Sequence, residues 1–195
     1  EISACLVGSE MCIRDRIKAP NGKVLEVKDF NTENGAAIQL WSYAGHPWQQ
    51  WQFLDAGDGR WRICNRFTGK VIDLSLGGVV EGTWLHQWAR TSGMSQCWTL
   101  EPTRNGRIRI RSVLADKYID LVGMDTSNGA RAQIWNFVSG GNQEWDLVRV
   151  DPNTAQTTAC AEEHPSPQPT PPQRKHQNDL VRKLNSAGKG RASRK

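Results

Sequence analysis

The chain has 195 residues and a formal net charge of +5, from 25 Lys and Arg against 20 Asp and Glu. This length favours one domain with tails, and no apolar run approaches the roughly 20 residues that span a bilayer. Residues 174–195 carry eight basic residues and one Asp, whereas residues 17–150 carry fifteen basic and thirteen acidic side chains. The positive charge therefore belongs to the C-terminal segment, and no nucleic-acid-binding surface is predicted outside it. Nine Trp residues predict a core and contact sites that are both built from indole rings.

The first sixteen residues do not fit the rest of the chain. Leu6–Arg16 resembles the in-frame translation of a transposase-type sequencing-library adaptor, because GAG-ATG-TGT-ATA-AGA-GAC would encode Glu10–Asp15. We therefore expect residues 1–16 to derive from an adaptor and the true N-terminus to be missing. The localisation stays open on this interpretation, with secretion favoured over the cytoplasm.

Three cysteines remain once that segment is set aside: Cys64, Cys97 and Cys160. Their spacing matches no metal-ligand pattern, so no metal site is predicted. Cys64 and Cys97 could pair, but two separate buried or half-buried thiols are the favoured interpretation.

A repeat of 47 residues organises the region from residue 17 to residue 150. Each unit contains an aliphatic-acidic strand, a strand that ends in Trp, and a closing Gln-x-Trp motif. The acids are Glu26, Asp73 and Asp120, the strand-ending residues are Trp41, Trp88 and Trp135, and the closing residues are Trp51, Trp98 and Trp145. Because three series share one spacing, the repeats are predicted at residues 17–57, 58–104 and 105–150.

Within a unit the local pattern indicates β-structure. The second unit shows four short runs, at Trp61–Asn65, Val71–Leu74, Trp84–Trp88 and Trp98–Leu100, separated by Gly, Asn and Asp. Asn-Gly pairs at 34–35, 105–106 and 128–129 mark turns. Three units of four strands give twelve, and they must share one core because a single unit cannot bury its apolar face.

The segment from 151 to 195 differs in kind. Six of the nine Pro lie between residues 152 and 172, and the last residues are rich in Lys and Arg. Such a composition predicts a disordered tail. A sharper alternative is an electrostatic tether to nucleic acid or to an anionic membrane.

Three Gln-x-Trp units, each with an aliphatic-acidic strand and a strand ending in Trp, resemble the ricin B-type lectin family. The resemblance covers residues 17–150 and implies an all-β β-trefoil, in which six strands form a barrel and six form hairpins that cap it. It also implies non-catalytic carbohydrate binding, with galactose or N-acetylgalactosamine as the expected sugar and xylan or other plant polysaccharides left open. The internal disulfides that some members carry are missing here.

A sugar offers hydroxyl groups at fixed angles and an apolar C–H face, so a shallow site needs a carboxylate, side-chain amides and an aromatic platform. Strand parity predicts that Gln133 and Trp135 face outwards together, as do Gln39 and Trp41. The third unit is predicted to be the strongest site because it matches the family pattern in full. The residues that the resemblance implies there are Asp120, Gln133, Trp135, Asn142 and Gln143. Asp120 is expected to accept from two hydroxyls, Trp135 to stack on the ring, Asn142 to bond a further hydroxyl and Gln143 to brace the pocket.

The other two units depart from the pattern, and we rank the first above the second. The first unit offers Glu26, Gln39, Trp41, Gln49 and Gln50, with Gln49 read as the counterpart of Asn. Glu26 is one methylene longer than Asp, so its carboxylate is expected to intrude or turn aside. The second unit offers Asp73, His86, Trp88, Ser95 and Gln96. The closing Trp residues are interpreted as core wedges, while Trp61 and Trp84 are assigned to packing.

The residues favour binding over catalysis. Glycoside hydrolysis needs two carboxylates around one bond, whereas the matched acids occur once per repeat and are expected to lie far apart. No nucleophile elbow or phosphate-binding loop occurs in the sequence, so neither a catalytic residue nor a cofactor is predicted. Two alternatives stay open: a carbohydrate-binding module of a larger glycoside hydrolase or toxin that has lost its N-terminal part, and a trefoil that binds protein.

Overall fold

The computed structural model describes residues 15–150, which form an all-β fold. The predicted adaptor segment lies outside these residues except for Asp15 and Arg16, which begin the first strand, and the predicted tail at 151–195 lies outside them entirely. The strands are β1 (Asp15–Lys18), β2 (Val24–Val27), β3 (Ile38–Trp41), β4 (Trp51–Asp55), β5 (Trp61–Asn65), β6 (Val71–Leu74), β7 (Leu85–Trp88), β8 (Trp98–Pro102), β9 (Ile108–Ser112), β10 (Tyr118–Leu121), β11 (Ala132–Trp135) and β12 (Asp146–Arg149). The short 3-10 turns are Lys28–Phe30, Pro47–Gln49, Ser75–Gly77, Met94–Gln96, Val122–Met124 and Gly141–Gln143.

The twelve strands divide into a ring of six and three hairpins. Around the ring, β1 pairs with β4 and β12, β4 with β5, β5 with β8, and β8 with β9. A bridge between Ile108 and Trp145 closes it. The hairpins are β2–β3, β6–β7 and β10–β11, and each pairs antiparallel over four residues. This is the β-trefoil that the family resemblance implied.

The three closing Trp residues lie at the centre of the core. Trp51, Trp98 and Trp145 are 0%, 0% and 1% exposed. Each indole Nε1 donates to the carbonyl oxygen of the residue before the repeat's acid, at 2.9, 3.3 and 3.4 Å in repeat order. Buried indole N–H groups need such acceptors, so the bond fixes each barrel strand against its hairpin. The interpretation of these Trp residues as core wedges is confirmed.

The remaining core follows strand parity. Leu40 and Ile134 point inwards and are fully buried, as are Ile38 and Ala132. Cys64 and Cys97 are unpaired thiols, as the favoured interpretation had it. Within residues 15–150, no helix is long and apolar enough to cross a membrane.

Candidate functional site

Each repeat holds one carboxylate on the first strand of its hairpin and orients it with the Gln of the closing motif. Glu26, Asp73 and Asp120 are 4%, 7% and 3% exposed. The Nε2 groups of Gln49, Gln96 and Gln143 donate to these carboxylates at 2.8, 2.8 and 3.0 Å respectively. Because the three contacts repeat with almost the same geometry, the carboxylate–glutamine pair is a structural element of every repeat.

The same glutamines also hold the loop that follows each hairpin. Each Oε1 accepts from a backbone N–H in that loop. Each Nε2 donates to the backbone carbonyl of the residue that lies two positions before the one that supplies the N–H. The N–H groups belong to Ala44, Thr91 and Val138, and the carbonyls to Ser42, Ala89 and Asn136. All three glutamines are at most 1% exposed, so they support the site from behind rather than meet a ligand.

Three of the residues predicted for the third site bond Asp120 directly. Gln133, its direct neighbour across the hairpin, donates from Nε2 to Asp120 Oδ1 at 3.1 Å. Asn142 Nδ2 and Gln143 Nε2 donate to Oδ2 at 2.6 and 3.0 Å. Burial raises the pKa of the Asp120 carboxyl above its ordinary value of 3.8, against the lowering effect of the Gln133 and Gln143 bonds.

Asn142 completes this group and leaves one atom without a partner. Its Nδ2 is committed to Asp120, whereas its Oδ1 is buried and has no hydrogen-bond partner among the described residues. Buried polar atoms are nearly always satisfied, so such an atom calls for an explanation. Because the atom is covered, a ligand hydroxyl would reach it only after the Asn142 side chain moves.

Strand parity was right about the side of the hairpin but wrong about exposure for the two glutamines. Gln39 and Gln133 lie on the face opposite the core, yet they are only 4% and 6% exposed. Their amides turn towards the carboxylates, at 2.9 Å from Glu26 and 3.1 Å from Asp120, which draws them below the surface. Only Trp135 of the outward pair in the third repeat stays accessible, at 37%.

The strand-ending Trp residues rest on the neighbouring repeat. A Cβ atom added at the turn glycine of that repeat would lie 3.8–3.9 Å from the indole Cζ3. The pairs are Gly35 with Trp88, Gly82 with Trp135, and Gly129 with Trp41. These glycines have φ of 87°, 82° and 89°, a conformation that glycine adopts without steric cost. Each site is therefore built from two repeats.

A side chain one residue before each of these glycines fixes the same junction. Its oxygen accepts from the backbone N–H of the residue that follows the strand-ending Trp. The distances are 3.1 Å after Trp41, 2.9 Å after Trp88 and 3.3 Å after Trp135. The acceptors are Asn128, Asn34 and Glu81. The sequence prediction missed these contacts, although the 47-residue spacing of Gly35, Gly82 and Gly129 would have revealed them.

In the first repeat the structure corrects the sequence alignment by one residue. Gln49 occupies the position of Gln143 and not that of Asn142, because it lies two residues before Trp51 and makes the same three contacts. Gln50 is 2% exposed and donates to the Gly45 carbonyl, away from the carboxylate. The counterpart of Asn142 is Trp48, 94 residues earlier.

Glu26 neither intrudes nor turns aside, contrary to expectation. Its two oxygens accept from Gln39 and Gln49 at 2.9 and 2.8 Å. The extra methylene is therefore accommodated within the same arrangement of amides.

The second repeat keeps the carboxylate, but only one of its two oxygens accepts a hydrogen bond. Gln96 donates to Asp73 Oδ2 at 2.8 Å, and Asp73 Oδ1 is buried without a hydrogen-bond partner among the described residues. His86 lies opposite Asp73 in the hairpin and stacks on Trp88, with ring centroids 5.3 Å apart. Burial lowers the pKa of His86 below 6.5, Asp73 opposes this, and Arg131 lowers it further. Ser95 makes no hydrogen bond to Asp73.

Comparisons with known proteins agree with this architecture. The sequence model described as "Ricin-type beta-trefoil lectin domain-like" matches residues 16–88 and 94–161. The designed threefold-symmetric protein ThreeFoil is 30% identical, with a TM-score of 0.69 over 70% of this chain and 99% of its own. An exo-β-1,3-galactanase from Clostridium thermocellum is 32% identical, with a TM-score of 0.70 over 76% of this chain and 32% of the enzyme.

A more distant likeness shows the fold alone. The C-terminal half of an earthworm R-type lectin, solved in complex with GalNAc, is 22% identical, with a TM-score of 0.57 over 71% of this chain and 99% of its own. No curated protein matches the chain significantly. Since the family model covers more than half of the chain, the chain belongs to the ricin-type β-trefoil lectin domain-like family.

Proposed function

We propose that this protein binds galactose- or N-acetylgalactosamine-type glycans without catalysing a reaction, through up to three shallow sites of which the third is the strongest. Lectin and carbohydrate-binding folds among its structural neighbours support carbohydrate binding in general. The observation that carries the proposal is the group around Asp120, in which three amides bond a buried carboxylate, with the half-exposed Trp135 at the end of the same hairpin.

The hydrogen-bond inventory of the third site defines how a sugar would be held. An ionised carboxylate offers about four acceptor positions, and Asp120 already uses three of them. One remains for a sugar hydroxyl, and the unpartnered Oδ1 of Asn142 accepts from a second once that side chain turns to expose it. Trp135 packs its negative face on the weakly positive C–H face of the ring. This combination selects pyranoses that present two adjacent hydroxyls beside an apolar face.

The first and second sites are weaker for different reasons. In the first, Trp48 replaces the Asn, so the second hydroxyl acceptor is lost. In the second, Asp73 Oδ1 is unoriented because His86 makes no hydrogen bond to it. Shallow sites bind monosaccharides weakly because little of the association cost is recovered. Useful affinity then comes from several sites that engage one branched or repeated glycan.

The neighbours support a galactose-type ligand and also a second arrangement. One neighbour is an exo-β-1,3-galactanase and another was solved with GalNAc, which favours the galacto configuration. Because this chain spans 32% of the galactanase, a role as the carbohydrate-binding module of a larger glycoside hydrolase is the alternative. Sequencing the full-length transcript tests it: an upstream catalytic domain in the same frame would establish that role, and an upstream stop codon would reject it.

A glycan array followed by titration calorimetry tests the main proposal. The full chain is compared with Trp135→Ala and Asp120→Asn, and with Trp88→Ala and Asp73→Asn as matched variants in the second repeat. We expect galactose-type binding to fall more than tenfold in the first pair and less than threefold in the second. Equal losses in both pairs would contradict the ranking of the sites. A well-folded wild type that binds no glycan would reject the proposal in favour of a protein partner.

A further inference from the structure

Four aromatic rings form a cluster beside the carboxylate of the first repeat. The imidazole of His46 stacks on Trp48 with ring centroids 4.1 Å apart and an interplanar angle of 13°. Phe30 and Phe67 pack on the same indole at 5.5 and 5.8 Å. Among the described residues, neither of the other two repeats assembles four rings at this place. The cluster is defined here as Phe30, His46, Trp48 and Phe67.

The cluster is continuous with the first site. Trp48 directly precedes Gln49, whose Nε2 bonds the Glu26 carboxylate, and Phe30 lies in the 3-10 turn that follows the strand bearing Glu26. In the third repeat the corresponding residues, Met124 and Asn142, both lie against Gly140. The two positions therefore face each other across one edge of the sugar site, and in the first repeat both are aromatic.

The turn that carries Phe30 differs from its counterparts in having no glycine. Two successive residues have positive φ in each repeat, and in the second and third repeats one of them is glycine: Gly77 and Gly123. The first repeat has no glycine there, with Asp29 at 54° and Phe30 at 45°. A bulky side chain at positive φ is costly. Met124, the counterpart of Phe30 in the third repeat, also has positive φ, at 58°, and is 62% exposed. The aromatic ring is therefore the feature that distinguishes the turn of the first repeat.

The exposed apolar area of Phe30 and Phe67 is far below that of a protein interface and matches the size of a sugar ring. Phe30 and Phe67 are 55% and 44% exposed, which together amounts to about one phenylalanine side chain, on the order of 200 Å². A stable protein interface needs about 800 Å² on each side. A pyranose ring presents a C–H face that matches the negative face of a phenyl ring.

We propose that the aromatic cluster is a stacking subsite for the second or third pyranose of an oligosaccharide whose first ring lies at Glu26 and Trp41. This inference rests on the proposed function. The first repeat accordingly selects glycans by chain length and gains contact with each added ring, whereas the third repeat recognises a single terminal sugar.

The test uses the full chain with Trp88→Ala and Trp135→Ala, which silence the other two platforms. Galactose, β-1,3-linked galactobiose and galactotriose are titrated by calorimetry against this background. Affinity is expected to rise about fivefold from galactose to the longer ligands, which is the gain that one aromatic stacking contact gives. Phe30→Gly and Phe67→Ala should abolish the rise and leave galactose binding within twofold. Phe30→Gly should fold well because glycine tolerates positive φ.

Leu114→Ala is the matched control, because Leu114 holds the position of Phe67 in the next repeat and is 43% exposed. It should not change the rise. A rise that persists in both Phe variants would overturn the proposal, as would equal affinity for all three ligands. Dimerisation that Phe30→Gly abolishes would assign the cluster to a second copy instead. If the Trp88→Ala, Trp135→Ala variant binds no sugar while the wild type does, this subsite alone is rejected. If the wild type binds no sugar either, the proposed function is rejected as well.

Discussion

The buried side chain of Gln143 links the stability of the third repeat to the geometry of its site. Gln143→Leu keeps the side-chain volume and removes three hydrogen bonds, to Val138 N, Asn136 O and Asp120, at 3.0, 2.8 and 3.0 Å. A neutral hydrogen bond contributes about 1 kcal/mol net and one to a charged group about 1.5–3 kcal/mol. Asn136 is exposed, so water replaces part of the loss, and the expected destabilisation is about 3 kcal/mol.

Urea unfolding followed by Trp fluorescence measures this loss by linear extrapolation. The melting temperature should fall by about 10 °C. Gln49→Leu and Gln96→Leu remove equivalent contacts and should cost about the same, but only Gln143→Leu should weaken galactose binding at the third site. A loss below about 1 kcal/mol, or losses that differ severalfold among the three variants, would refute the reasoning that these bonds hold the hairpin loops.

Three further predictions follow from the site. Burial raises the pKa of Asp120 above 3.8, so galactose binding measured by calorimetry should be lost on acidification at a pH above 3.8. The same shift gives stability that is present below pH 3.8 and is lost as pH rises through the raised pKa, a dependence that Asp120→Asn should remove. Gly82→Val should displace Trp135 and weaken the third site at least tenfold, whereas Gly106→Val, at φ 83° with open space around it, should cost stability without affecting binding. His86→Gln should orient Asp73 and strengthen the second site. Because the pKa of His86 lies below 6.5, its contribution to stability is present above pH 6.5 and is lost as pH falls through its folded pKa, and the variant should flatten that loss in urea titrations.

The fold could be predicted because the strongest sequence signal is also the strongest packing constraint. The closing Trp residues recur every 47 residues and occupy the centre of the core at 0–1% exposure, so their spacing reports the threefold arrangement directly. One strand end was predicted one residue too early. Trp84 was predicted inside a strand, but it forms only an isolated bridge to Gln133, and β7 begins one residue later at Leu85.

The amides that surround Asp120 could be placed from the sequence, whereas the closing glutamine of the first repeat could not. Counting back from Trp145 reaches Gln143 and Asn142 without ambiguity, whereas Gln49 and Gln50 stand side by side before Trp51 and either fits the chemistry. The backbone decides between them, because the 3-10 turn Pro47–Gln49 directs the residue two before the Trp at the carboxylate. Trp48 could be recognised as the counterpart of Asn142 only after Gln49 had been aligned with Gln143.

The contacts that position each strand-ending Trp also join neighbouring repeats, so the candidate sites and the fold depend on one set of interactions. Trp41 rests on Gly129 of the third repeat, and Trp135 rests on Gly82 of the second. The backbone after each platform is held by that same neighbouring turn, by Asn128 for the first repeat and by Glu81 for the third. A repeat taken alone buries too little apolar surface to fold, and it also lacks the wall behind its own indole. A substitution in one of these turns is therefore expected to disable the candidate site of the repeat whose Trp rests on it, while the carboxylate and amides of that site stay in place.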